Sequence, residues 1–89
     1  MNKKRTRLEV IRDILEVISD SRKIKITHVI YKANLSNNSV KPYLDELIGK
    51  GFVREVFDKD KKYFEISDKG KEFLKEFEKI KVFSDAYGL

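Results

Sequence analysis

Four neighbouring residues, Asn37, Asn38, Ser39 and Lys41, carry the hydrogen-bonding chemistry this sequence concentrates in one place. A side-chain amide can pair with adenine N6 and N7, and an ammonium can donate to guanine O6 and N7 or to phosphate. Taken singly, each Asn also suits the local capping of a helix start, and Lys41 suits a solvated surface. Catalytic chemistry is hard to assemble from what remains. The chain has one His, no Cys and four scattered Gly, so neither a nucleophile–base pair nor a phosphate-cradling loop is in view. His28 has no second His or Cys at ligand spacing. No enzyme, cofactor, metal site or small-molecule substrate is expected.

The elements that must position those four residues follow from periodicity and caps. Thr6 and Glu9 form a capping-box pattern, and Leu8, Ile11, Leu15 and Ile18, widened by Val10, Ile14 and Val17, mark a helix ending near Asp20. Lys23 to Ile26 alternates and predicts a short strand; Thr27 then caps a short helix through Ala33. Asn34 suits a left-handed helix end. Ser36 caps a third helix with Val40, Leu44, Leu47 and Ile48 on its buried face, closed by Gly51. Pro42 would strain that helix unless it starts a residue or two after Ser36, which makes Asn38 an alternative cap.

Phe52 to Phe57 and Lys62 to Ile66 are β-prone runs separated by the charged tip Asp58-Lys59-Asp60-Lys61. Ser67 caps a fourth helix with Phe73, Leu74, Phe77 and Ile80 at helical spacing, followed by a tail from Val82 to Leu89. The expected class is α+β, a winged helix-turn-helix ordered helix, short strand, helix, helix, β-hairpin wing, C-terminal helix. The helix-turn-helix pattern alone is weakly specific; the order through Ser67 is more so.

Composition and charge agree with that class. A chain of 89 residues, 40% hydrophobic and 39% charged, has room for one core and no second domain. With no apolar run near ~20 residues long, no membrane span is expected and the protein is placed in the cytoplasm. Without Cys, a domain this small relies on packing or oligomerisation. The absence of Gln, with abundant Lys and Glu, matches a hyperthermophile bias. The net charge of +5 is unevenly spread. Residues 1–7 hold Lys3, Lys4, Arg5 and Arg7, residues 21–33 hold Arg22, Lys23, Lys25 and Lys32, and residues 34–89 are balanced. Such clustering favours a polyanion, since phosphate neutralisation releases counterions.

The sequence resembles the small archaeal winged-helix DNA-binding proteins, including the ten-kilodalton members found with chromatin. The resemblance rests on Tyr31-Lys32-Ala33-Asn34-Leu35-Ser36, on Val40, Tyr43-Leu44, Leu47, Gly51 and Val53, and on Ser67 to Leu74. It implies a winged helix, a dimer built through the C-terminal helix, and binding of double-stranded DNA for transcription regulation or chromatin packaging. Family members with a long antiparallel coiled coil continue well past the last residue of this sequence.

The expected organisation is a basic arm (residues 1–7), a winged-helix domain (8–67) and a dimerisation helix with tail (68–89). The expected DNA contacts are Asn37, Asn38, Ser39 and Lys41, with Tyr43 secondary; Lys59, Lys61, Lys62 and Arg54 in the wing; and Lys3, Lys4, Arg5 and Arg7 in the arm. Arg54 has Glu65 as a competing partner across the hairpin, and the alternating charges of the tip also suit a merely soluble loop. The expected homodimer interface is Phe73, Leu74, Phe77, Ile80, Phe83 and Tyr87. The alternative use of this fold is a protein–protein interaction module in a transcription or chromatin assembly, which would carry an apolar patch where DNA would bind.

Overall fold

The computed structural model describes residues 4–89. Helix α1 spans Arg7–Asp20, α2 Ile26–Lys32 and α3 Asn37–Gly49; strands β1 (Val53–Asp58) and β2 (Lys61–Ile66) form one antiparallel hairpin, and α4 spans Asp68–Ala86. The helices cover one face of the hairpin, with α1 packed against α2, α4 and β2, and α3 against α2 and β1.

Local chemistry starts most of these elements. At α1 the capping box is complete: the Glu9 amide donates to Thr6 Oγ1 and the Thr6 amide to Glu9 Oε1. Ser36 caps α3 by accepting from the Ser39 amide. Asn34, at φ 56°, makes the sharp exit from α2. Gly51, at φ 82°, does the same after α3.

Two local expectations are corrected, and of the two caps offered for α3 the first is realised. Helix α2 starts one residue before Thr27, with Lys25 at its cap and no side chain satisfying the first amides. Packing sets this start, because Val29 is fully buried and Ile26 and Ile30 lie against the core. The expected strand over 23–26 shrinks to one bridge, in which Ile24 and Phe64 exchange both backbone hydrogen bonds. Helix α3 begins directly after Ser36 in spite of Pro42, so Asn38 is not the cap. Proline at the sixth helical position deprives the Asn38 carbonyl of its partner, and because Asn38 is exposed, water can take that bond.

The core is continuous. Ile14, Leu15 and Ile18 of α1, Val29 of α2, Val40 and Leu44 of α3, and Val53 and Phe64 of the hairpin are buried together. At about 25 cal/mol per Å2 of apolar surface, this burial is the main favourable term for so small a domain.

The hairpin turn is tighter than the four-residue tip expected. Asp58 pairs with Lys61, so Lys59 and Asp60 alone form the turn, at φ 51° and 67°. Two left-handed central residues make a type I′ turn, whose twist matches the strands.

Helix α4 departs most from expectation, since residues 82–86 continue it and only the last three residues follow it. Its first half lies on the body, where Phe73 and Leu74 pack against the core. Its second half leaves the body, and Ile80, Val82, Phe83 and Tyr87 are all exposed. Among the described residues no helix is long and apolar enough to cross a membrane.

Candidate nucleic-acid interface

The first two turns of α3 present Asn37, Asn38, Ser39 and Lys41 to solvent, because Val40, Leu44 and Leu47 commit the opposite face to the core. Ser39 is partly occupied, since its hydroxyl shares a 2.8 Å hydrogen bond with that of Ser36. Tyr43 is half-buried against the core and carries the Arg7 guanidinium over its ring, 5.8 Å from the centroid. Among the described residues, Asn37, Asn38 and Lys41 are therefore the side chains of this set turned to solvent without an engagement of that kind.

The expected basic arm divides. Lys3 lies outside the described residues, and Lys4 is exposed. Arg5 is built into the fold: its guanidinium donates to Asp13 and the Ala33 carbonyl at 2.8 Å each and to the Asn34 carbonyl at 2.9 Å. It thereby caps the C-terminal end of α2 and fastens the start of the chain to the turn before α3. Arg7 is already helical and pairs with Glu46 on α3. Glu46 accepts from Lys50 as well, and these two hydrogen bonds, Lys50 first and Arg7 second, hold its carboxyl below the ordinary value of 4.5.

The hairpin cations also fall into two groups. Lys59 and Lys61 are exposed at the tip and, among the described residues, have no ion-pair partner. Lys62 reaches back to Glu55 at 3.1 Å. Arg54 stands at the base of the hairpin, 3.3 Å from Glu65 and 3.5 Å from the Ile66 carbonyl, on an open groove of about 350 Å3 that Ser19, Arg22 and Lys71 also line. That ion pair is the one with the competing partner expected across the hairpin, and it leaves the Arg54 side chain exposed.

Sequence reasoning missed two lysines that fix the wing. Register puts Tyr63 on the outer face of the hairpin opposite Val56, and Lys23 and Lys25 lie over its ring at 4.7 and 5.9 Å. Lys23 also donates to Asp58 beside the turn. That contact, as hydrogen bond and then as charge, raises its pKa above 10.5. The segment before α2 thus holds the wing by its tip and its middle. The alternation of Lys23 and Lys25 around Ile24 was the signal for this, but its partner strand lies some forty residues away in sequence.

The dimer set divides as well. Phe73 meets Phe52 edge-on at 5.9 Å and Phe77 at 6.0 Å, and the Arg12 guanidinium covers Phe77. Phe73, Leu74 and Phe77 are engaged within their own chain. Ile80, Phe83 and Tyr87 lie away from the core: Ile80 is 68% and Phe83 60% exposed, and the Phe83 ring meets that of Tyr87 at 4.8 Å.

A family model described as winged helix-turn-helix matches residues 4–84. Among solved structures, the chain is similar to Sso10a-2, a DNA-binding protein from Sulfolobus solfataricus, at 33% identity and a TM-score of 0.80, covering 94% of this chain and 87% of that one. A MarR-family transcriptional regulator from Silicibacter pomeroyi shares the fold at 18% identity and a TM-score of 0.69, over 75% of this chain and 47% of that one. The protein MJ0287 of Methanocaldococcus jannaschii is 40% identical over 76% of this chain, and the match spans 65% of that relative's length.

Proposed function

The chain belongs to the winged helix-turn-helix family, and from that premise we propose that it binds double-stranded DNA as a cytoplasmic transcription regulator or chromatin-associated protein. In this reading α3 enters the major groove, the wing and Lys4 meet flanking phosphates, and two copies join through the free half of α4.

The observation that carries the reading is the exposure of Asn37, Asn38 and Lys41 on the N-terminal turns of a helix whose other face is buried. N-terminal residues of a recognition helix are the ones that reach base edges. The DNA-binding description of Sso10a-2, similar over 94% of the chain, supports the same reading. Lys59 and Lys61 at the wing tip supply phosphate contacts beside the helix. In this arrangement residues 8–67 form the DNA-binding unit and residues 68–89 the dimerisation unit.

Selection of bound duplexes from a random pool at two salt concentrations tests the proposal. A recurring motif identifies a sequence-specific regulator. Binding without a motif, falling steeply as salt rises, identifies chromatin-type coating. No duplex retained at either salt overturns the proposal and leaves a protein-interaction module.

A further inference from the structure

Phe57 stands where neither the core nor the basic surface explains it. It is 70% exposed, one residue before the end of β1. The register pairs Val53 with Ile66, Glu55 with Phe64, and Phe57 with Lys62, so these residues share one face of the hairpin. Val53, Phe64 and Ile66 use that face to build the core. Phe57 continues it past the point where the core ends, and its ring projects from the inner face of the wing into solvent.

The surroundings discriminate between partners. Around Phe57 the tip is charged: Glu55, Asp58, Lys59, Asp60, Lys61 and Lys62. A protein-docking surface is a contiguous apolar patch rimmed by polar groups, and a single ring among charges is not one. One planar apolar group at a tip that also carries exposed lysines instead complements stacked bases flanked by phosphates. Lys59 in the turn and Lys61, which register sets on the opposite face beside Asp58, provide those cations on either side of Asp60, while Lys62, on the face of Phe57, is drawn back to Glu55 and over the Phe64 ring, 5.9 Å from its centroid.

The mounting is stiff as well. The two-residue turn leaves no slack, and Lys23 fastens the neighbouring Asp58. An apolar side chain that enters the minor groove must be held against the resistance of the base stack, which a pinned hairpin can do.

We propose that Phe57 is a wedge that enters the minor groove beside the site read by α3 and partly opens one base step, bending the duplex. This rests on the DNA-binding reading above and adds a specificity-determining residue to it. The preferred step is pyrimidine–purine, the easiest to unstack, so the wing selects sequence through deformability without a base hydrogen bond.

The test uses the full chain and a selected duplex carrying 2-aminopurine at successive flanking steps, with a fluorophore at each end for energy transfer. The unaltered protein is expected to raise 2-aminopurine emission at one step and to bend the duplex by roughly 20–90°. Phe57→Ala should abolish both signals and weaken binding about 5- to 100-fold, with Phe57→Leu intermediate. Because the ring is exposed, far-UV circular dichroism should be unchanged in both variants. A bend and an emission profile in Phe57→Ala equal to those of the unaltered chain overturn the wedge and leave DNA binding standing. Failure of the unaltered chain to bind any duplex overturns both.

Discussion

The Ser67 hydroxyl donates to the Gly51 carbonyl across 2.6 Å and accepts from the Gly70 amide at 3.1 Å, so one buried side chain caps α4 and grips the exit of α3. Gly70 completes the joint, since a Cβ there would come within 2.4 Å of the Phe52 carbonyl oxygen. Ser67→Ala removes a cap and the donor that the Gly51 carbonyl accepts from, an expected loss of about 1–2 kcal/mol. Gly70→Ala should destabilise by a similar ~1–3 kcal/mol of overpacking, outweighing the ~1 kcal/mol that Ala gains over Gly in a helix. Urea denaturation of both variants checks this; a more stable Gly70→Ala chain would show that the joint yields.

The arm residues should separate by experiment. Arg5 holds the Ala33 and Asn34 carbonyls, so Arg5→Ala is expected to lower stability by about 1–3 kcal/mol. Lys4→Ala should leave the melting temperature unchanged and reduce the slope of log K against log salt by about 0.9. Thermal melts and salt titrations on both variants would reveal the reverse pattern if Arg5 were the phosphate contact.

On α3, Asn38→Ala and Lys41→Ala are each expected to cost about 1–3 kcal/mol against the selected duplex and less against a scrambled one. Titration of both duplexes measures the difference. Equal losses on the two would reassign that residue to the sugar-phosphate backbone.

The free half of α4 should govern association. Ile80→Glu and Phe83→Glu place a charge where two apolar helices would meet, and sedimentation equilibrium is expected to change from dimer to monomer with folding intact. Phe73→Ala, by contrast, should lower stability by about 2–3 kcal/mol, because that half-buried ring packs within its own chain. A dimer with two-fold symmetry would bind half-sites about 34–36 Å apart or a multiple of that. A monomer at tens of micromolar unaltered chain would end the dimer model.

The contact of Glu46 with Lys50 and Arg7 has a pH signature. A carboxyl held below its ordinary 4.5 in the folded state favours the fold while ionised. Its contribution is therefore fully present above 4.5 and is lost as pH falls through the lowered value. Melting temperatures of the unaltered chain and of Glu46→Gln should differ at neutral pH and converge in acid. A gap that persists well below pH 4 would trace to packing of the side chain.

What could be read in advance divides by sequence distance. Thr6 with Glu9, Ser36 with Ser39 and Ser67 with Gly70 are contacts three residues apart, written directly into the order of residue types. The exposed face of α3 followed in the same way from the spacing of Val40, Leu44 and Leu47. The start of α2 at Ile26 was not legible, because burial of Val29 overrides the better cap at Thr27. Nor was the role of Arg5, whose carbonyl partners lie 28 and 29 residues along the chain. Charge patterning grouped Arg5 and Arg7 with Lys3 and Lys4 since all four are basic neighbours; folding gave the two arginines acceptors elsewhere. The continuation of α4 through residues 82–86 was hidden by its apolar composition, which reads as readily as a tail.

The turn at Lys59 and Asp60 has a consequence for the lifetime of the covalent chain. Asn-Gly would adopt the same left-handed pair with less strain, whereas left-handed geometry costs a residue with a Cβ roughly 1–2 kcal/mol. Asn followed by Gly is also the dipeptide most open to deamidation, because nothing shields the following amide from the side chain that cyclises onto it. With Lys59-Asp60 the tightest bend of the wing carries no side-chain amide to lose. The hairpin accepts a small conformational penalty at every folding event and is spared deamidation at its tightest bend.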